Sequence, residues 1–238
     1  LREGGNAIEA MVAAAATIAV VYPHMNAIGG DGFWLISEPG QAPVAIDACG
    51  RAAGAATLDF YAGHAAIPGR GPLAANTVAG AISGWQEALR HSERLGGKLP
   101  ASRLLQDAIW YAREGAPVTQ SQVNFTGKFL PELAHIPGFA GQFLDASTAT
   151  GAAGQVPVVN TLRRYPALAR TLQTLADKGL DDYYRGSVAA AIAAEHERLG
   201  GPLRLADLHA HSASSVTPLS VRVTGATLYN MTPPTQGL

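Results

Sequence analysis

The chain has 238 residues, enough for one large domain or two small ones, with an apolar fraction of 47% and a net charge of −1. That balance excludes a nucleic-acid surface, which needs a basic stripe, and no Lys/Arg cluster is present. The single cysteine, Cys49, excludes an internal disulfide framework, and one thiol suits a cytoplasmic or a periplasmic setting alike.

Asn6-Ala-Ile-Glu9 has the spacing of an N-cap with a carboxylate three residues on, which predicts a helix start. The helix runs through alanines to Val21 and stops at Pro23. So many small side chains on every face predict close packing against a sheet and another helix. The apolar run Ala10 to Tyr22 is too short to cross a bilayer, and no membrane partner is expected. A glycine-rich loop follows, His24-Met-Asn-Ala-Ile-Gly29-Gly30-Asp31-Gly32. It lies after a helix and before a strand, the reverse of a phosphate cradle. Phe33–Ser37 and Val44–Ala48 flank Glu38-Pro39-Gly40-Gln41, which predicts a β-hairpin.

The middle reads as helical. Ala79 to Leu95 places Ile82, Trp85 and Leu89 at helical spacing before Gly96-Gly97. A second helix begins at Ser102 and ends before Gly115, and Ser121 to Leu130 forms a short third. Residues 137–157 shift to Gly, Ala and Thr without periodicity, the composition of a loop or lid. Helices resume at Pro166–Asp177 and Ser187–Leu199, and Leu219 to Tyr229 alternates as one strand before Pro233-Pro234. Leu1 to Gly5 reads as the middle of an element, and a terminal strand leaves an edge that natural domains cover. More protein is therefore expected to follow, in the same precursor or in a partner chain.

Several segments, in order and in register, resemble the large subunit of the gamma-glutamyltransferase family. They are Gly4-Gly5-Asn6-Ala7-Ile8-Glu9-Ala10, Ile28-Gly29-Gly30-Asp31-Gly32-Phe33, Thr77-Val78-Ala79-Gly80 with Trp85, and Gly115-Ala116-Pro117-Val118. Tyr184-Arg185-Gly186, Gly200-Gly201-Pro202-Leu203 with Asp207-Leu208, and Pro233-Pro234-Thr235-Gln236-Gly237 complete the set. The resemblance implies an α+β fold, a four-layer αββα sandwich of the N-terminal nucleophile hydrolase type, incomplete in this chain. It implies one domain over 1–238 with a mostly helical insert about 58–215. It also implies a precursor that cuts itself, so that a threonine heading the small subunit becomes the nucleophile. That threonine's own α-amine serves as base. On this reading no catalytic residue lies in this chain, and neither a cofactor nor a metal is expected. The partners are the small subunit and a small carboxylate-bearing amide. Thr232 and Thr235 are assigned structural roles in the proline turn.

The same resemblance implies one substrate contact from this half, an arginine after the second strand that grips a carboxylate, as a bidentate guanidinium does. Here the stretch reads Asp47-Ala48-Cys49-Gly50-Arg51-Ala52-Ala53, with Cys49 where that arginine belongs and Arg51 two places later. Period-two alternation keeps Arg51 on the same side of an extended chain. Arg51 is the candidate substrate-binding residue; the competing reading is a structural or solvated arginine. The departure, with Pro-Pro-Thr-Gln-Gly, is similar to the oxamate amidohydrolase-like and cephalosporin acylase-like branch. The reactions open to the chain are thus gamma-glutamyl cleavage, an oxamate-type amidohydrolase or acylase activity, and binding by a non-catalytic paralogue.

The remaining polar residues carry plainer readings. Cys49 reads as a small packed side chain, since no base or helix N-terminus accompanies it. His24 reads as a helix-end cap and Asp31 as the holder of a turn, in preference to pocket-lining roles. His196, His209 and His211 read as surface histidines, because no ligand set completes them. Asp181-Asp182 reads as a turn before a helix.

Overall fold

The computed structural model describes residues 1–145 and 154–235. In chain order its elements are α1 (Ala7–Val21), β1 (Gly32–Ile36), β2 (Val44–Ala48), α2 (Ala81–Arg94), α3 (Ala101–Leu104), α4 (Gln106–Glu114) and β3 (Ala116–Pro117). Then come α5 (Gln120–Leu133), α6 (Phe139–Phe143), β4 (Leu162–Arg163), α7 (Pro166–Lys178), α8 (Asp182–Arg185), α9 (Ser187–Arg198) and α10 (Leu205–Ala210). The chain ends in β5 (Ser214–Val216), β6 (Leu219–Val223) and β7 (Ala226–Asn230). The fold is α+β, as expected.

Helix α1 begins where the cap signal placed it. Asn6 Oδ1 accepts the amides of Ile8 and Glu9, both at 3.1 Å, and Glu9 Oε2 accepts the Asn6 amide at 2.8 Å. Glu9 is fully buried, and its other oxygen accepts the Leu99 amide at 2.7 Å. Asn6 also reaches Ser92 near the end of α2, Nδ2 to Oγ at 2.8 Å. One capping box thereby ties the start of α1 to the end of α2 and the turn after it. Leu1 to Gly4 forms a turn, closed by the Gly4 amide on Leu1 O at 3.0 Å, and not the interior of an element.

The predicted hairpin is present: β1 and β2 pair antiparallel, with Phe33 opposite Asp47 and Trp34 opposite Ile46. β5 adds to the far side of β2, giving the order β1-β2-β5. Trp34, Ile36 and Ile46 meet Ile8 and Ala88, so this face packs on α1 and α2. Leu35 lies on the other face and is 42% exposed. The main core lies among the helices, where Val12, Ala16 and Val20 of α1 meet Ile82, Ala108, Leu172 and Tyr184. The alanines of α1 do what their size predicts, letting α4 and α2 approach.

Several boundaries differ from the sequence reading. α2 starts at Ala81, two residues late, because Thr77 and Val78 are extended alongside Arg51 and Ala52. The helix expected from Ser102 is two, α3 and α4, separated at the buried Leu105. α5 is longer than predicted, capped by Thr119 and carrying Pro131 in its last turn. Residues 137–157 are not structureless throughout, since they contain α6 and a bridge between Asp145 and Gln155; residues 146–153 lie outside the described residues. Leu219–Tyr229 is not one strand but the hairpin β6–β7. It turns at Thr224-Gly225, where Gly225 takes a φ of 78°. A residue of positive φ suits a two-residue hairpin loop.

Replacing Asn6 by Ala removes the N-cap acceptor and is expected to cost about 1 kcal/mol of stability. Replacing Glu9 by Ala leaves the partly buried amides of Asn6 and Leu99 without their acceptor and is expected to cost more, about 2–3 kcal/mol. Thermal unfolding of both variants checks the order.

Candidate functional site

The site is built around the exit of β2. Asp47 Oδ1 accepts the Cys49 amide at 2.8 Å, an Asx-type bond that bends the chain as it leaves the strand. Asp31, at the end of the glycine loop, accepts the Gly50 amide through Oδ1 at 2.7 Å, and its Oδ2 lies 3.8 Å from Cys49 Sγ. Asp31 does hold a turn, but the neighbouring strand's and not its own. Arg51 follows at once. Its carbonyl accepts the Val78 amide at 2.9 Å while its side chain is exposed, with no partner for the guanidinium among the described residues.

Two glycines make this crossing possible. A Cβ on Gly50 would sit 1.8 Å from Val78 O, and one on Gly80 would sit 1.8 Å from Ala48 O. Both obstacles are backbone and cannot rotate away. The 48–51 and 78–80 segments therefore pass in direct backbone contact, and only glycine fits at either position.

Beneath the crossing lies a buried polar brace. Tyr184 Oη donates to Ala79 O at 2.7 Å and accepts the Ser83 amide at 2.9 Å. Ser83 Oγ donates to Gly80 O at 2.8 Å and lies 3.0 Å from His211 Nε2. Since the hydroxyl proton goes to Gly80 O, Nε2 carries the imidazole proton and donates. His211 Nδ1 is buried without a partner among the described residues. Arg185 donates to His211 O at 3.0 Å and pairs with Asp181 at 2.6 Å. Tyr183 Oη reaches Ile28 O at 3.2 Å, and the Ala81 amide reaches Gly30 O at 2.8 Å, so the glycine loop is pinned from α8 and α2.

The electrostatics follow from this packing. Burial pushes the Tyr184 hydroxyl up to about 12, only partly offset by its bonds to Ser83, and it stays a neutral donor. Burial also raises the Cys49 thiol, and Asp31 and Asp47 raise it further. The thiol is thus held further toward its protonated form than an ordinary cysteine. Burial lowers His211, with the positive charge of Arg51 adding to the effect.

Other residues fall outside this cluster. His24 does not cap α1; its Nε2 meets Ser121 Oγ at 2.9 Å, and Tyr22 Oη donates to the same oxygen at 3.0 Å. His209 is exposed and His196 half-buried on α9, whereas His211 is buried at 3% exposure, which corrects its reading as a surface histidine. The three do not converge. Asp181 lies in the turn expected before a helix, whereas Asp182 already opens α8 and accepts the Val188 amide at 2.8 Å at the start of α9. Thr235 Oγ1 bonds to Thr232 O at 3.0 Å within the proline turn, in keeping with a structural role. Ser83 and Tyr184 were not singled out from sequence. The available signal was a tyrosine in the Tyr184-Arg185-Gly186 segment with its hydroxyl in need of a buried partner.

The sequence model of the gamma-glutamyltranspeptidase family matches residues 1–238, and the chain belongs to that family. It is 55% identical over 239 residues to the oxamate amidohydrolase proenzyme of Klebsiella pneumoniae, covering all of this chain and 44% of that protein. It is 34% identical over 238 residues to a glutathione hydrolase-like proenzyme of Bacillus subtilis, covering all of this chain and 43% of that protein. The cephalosporin acylase from Bacillus halodurans superposes with a TM-score of 0.83 at 29% identity, over 98% of this chain and 42% of that one. The chain thus spans less than half the length of these relatives.

Two outcomes are expected here. Gly80→Ala should prevent the protein from accumulating in soluble, folded form, whereas Gly63→Ala, with nothing within 4 Å of the new methyl, should express normally. His211 binds its proton less readily folded than unfolded, so the unfolded chain holds more protons between the depressed folded value and about 6.5. Stability should therefore fall as pH drops below about 6.5. His211→Gln keeps a donor for Ser83 and should flatten that fall, read as melting temperature against pH.

Proposed function

We propose that this chain is the large-subunit portion of a self-processing threonine-nucleophile amide hydrolase, and that Arg51 grips the carboxylate of its substrate. The observation that carries the proposal is Arg51 itself: a guanidinium exposed at a strand exit whose backbone cannot shift, with no partner of its own among the described residues. A fixed fork of donors without an internal acceptor suits an incoming carboxylate.

Within this reading an oxamate-type amide fits better than a gamma-glutamyl one. Arg51 lies two residues beyond the position the family's arginine occupies, past the bend at which the chain leaves β2. A glutamyl grip does not survive such a shift unchanged. The relative named for oxamate is 55% identical, against 34% for the one named for glutathione hydrolysis. In oxamate the carboxylate is bonded directly to the amide carbonyl. The threonine hydroxyl would add to that carbonyl, ammonia would leave with a proton, and water would then release oxalate from the acyl-enzyme. Arg51 would hold the carboxylate through both steps and so fix the carbonyl for attack. The family membership keeps gamma-glutamyl cleavage as the second reading.

The seat for the small subunit is supported by the terminal hairpin. β6 and β7 pair only with each other among the described residues, and Val221 and Leu228, opposite one another, are 48% and 52% exposed. A two-stranded ribbon with an apolar face in water is not stable alone. We take the covering layer to be the remainder of the same precursor, completing the αββα sandwich over a domain whose helical insert runs about 58–215.

With the complete two-subunit protein, ammonia release from oxamate should exceed turnover of a gamma-glutamyl anilide. Arg51→Ala should raise KM for oxamate by the loss of about 2–4 kcal/mol, leaving self-cleavage intact. Arg51→Lys should recover only a fraction of this, because an ammonium cannot bind two oxygens in plane. An unchanged KM in Arg51→Ala would make the residue structural. A precursor that stays as one band on a gel would favour the non-catalytic reading.

A further inference from the structure

We infer that Asp31 is a positioning residue for substrate binding, acting through Gly50 on the direction of Arg51; this rests on Arg51 being the carboxylate grip. Asp31 is 20 residues upstream of Arg51, on a different loop, and its side chain bonds the β2 exit through the Gly50 amide and, more weakly, the Cys49 thiol. Its Oδ1 accepts the amide of Gly50, the residue immediately before Arg51, at 2.7 Å.

The geometry leaves that bond with a specific task. Gly50 is held on one side by Val78 O, too near for any side chain at Gly50, and on the next residue by the Val78 amide on Arg51 O at 2.9 Å. These contacts hold the chain on the side of α2 only. The hydrogen bond from the Gly50 N–H to Asp31 adds an anchor on the glycine loop one residue before Arg51, so the platform from which Arg51 projects is held from two sides. The loop that carries Asp31 is itself pinned, by Tyr183 on Ile28 O and by the Ala81 amide on Gly30 O. The acceptor is therefore fixed from the helical side of the molecule. Asp47 acts in the same way on the preceding amide, that of Cys49. The two differ in kind, because Asp47 makes a local turn bond and Asp31 a bond between loops.

A carboxylate also has a cost in that place. Its negative charge lies close enough to raise the Cys49 thiol, and a negative charge beside Cys49, two residues before the grip, would work against an anionic substrate. The positioning role needs an acceptor oxygen and not a charge. Asn at position 31 keeps the oxygen, whereas Ala removes it.

The test uses the complete two-subunit protein and oxamate, with Asp31→Ala, Asp31→Asn and Arg51→Ala measured side by side. Asp31→Ala is expected to raise KM about tenfold with kcat within about twofold, the size of one lost hydrogen bond to a charged acceptor. Amide hydrogen exchange at Gly50 should quicken in the same variant. Asp31→Asn should restore both readouts to near the parent values. A KM that Asp31→Ala leaves unchanged, in a protein whose Arg51→Ala raises it, overturns the positioning role and leaves the Arg51 grip standing. An equal rise of KM in Asp31→Ala and Asp31→Asn also overturns it, because a charge would then be what matters. If Arg51→Ala itself has no effect on KM, the Arg51 grip fails and the role of Asp31 fails with it.

Discussion

Everything at this site depends on two lengths of backbone touching where no side chain fits between them. Gly50 against Val78 O and Gly80 against Ala48 O make the sheet exit and the start of α2 a single rigid crossing. Close packing of this kind yields little; a methyl group at either position has nowhere to go. The crossing has two consequences. It fixes where β2 ends, and it sets Arg51 on the rim as the first residue whose side chain leaves the packed layer.

The brace under the crossing explains why buried polar groups are concentrated there. Bringing backbones so close leaves the carbonyl of Ala79 without a partner from a regular ladder, and Tyr184 supplies it. Gly80 O accepts the Gly84 amide at 3.1 Å as the first bond of α2 and takes the Ser83 hydroxyl as a second donor, with His211 donating to Ser83 in turn. A buried carbonyl without a hydrogen bond costs on the order of 1–3 kcal/mol, so this network is a condition of the packing and not an ornament to it. It also reaches across the chain, since Tyr184 and His211 come from α8 and from the segment after α10. The helices remote in sequence are thereby joined to the Arg51 platform.

Much of the fold was legible in the sequence where the physics is local. The Asn6–Glu9 box, the Glu38–Gln41 hairpin and the helix ending before Gly96 each follow from a few adjacent residues, and each is where it was expected. The strand β5 was missed because Ser-Ser-Val offers three residues and no alternation; only its pairing with β2 makes it a strand. The β6–β7 turn was missed because Thr224-Gly225 interrupts an apolar alternation that continues unbroken on either side. Arg51 was found through a resemblance between sequences. Its supports, Asp31, Ser83, Tyr184 and His211, were not seen in those roles, because each acts through a partner between 18 and 128 residues away. A buried histidine also looks the same in sequence as an exposed one.

The chain belongs to the gamma-glutamyltranspeptidase family, and the proposal for its substrate rests on the residues around Arg51. The most direct test of that proposal is the crystal structure of the complete two-subunit protein with oxalate, the product, soaked into the site. The account predicts both Arg51 guanidinium nitrogens within hydrogen-bonding distance of one carboxylate, with the Cys49–Arg51 backbone unmoved. Oxalate bound elsewhere, with Arg51 turned to solvent or paired to a side chain of the small subunit, would contradict it.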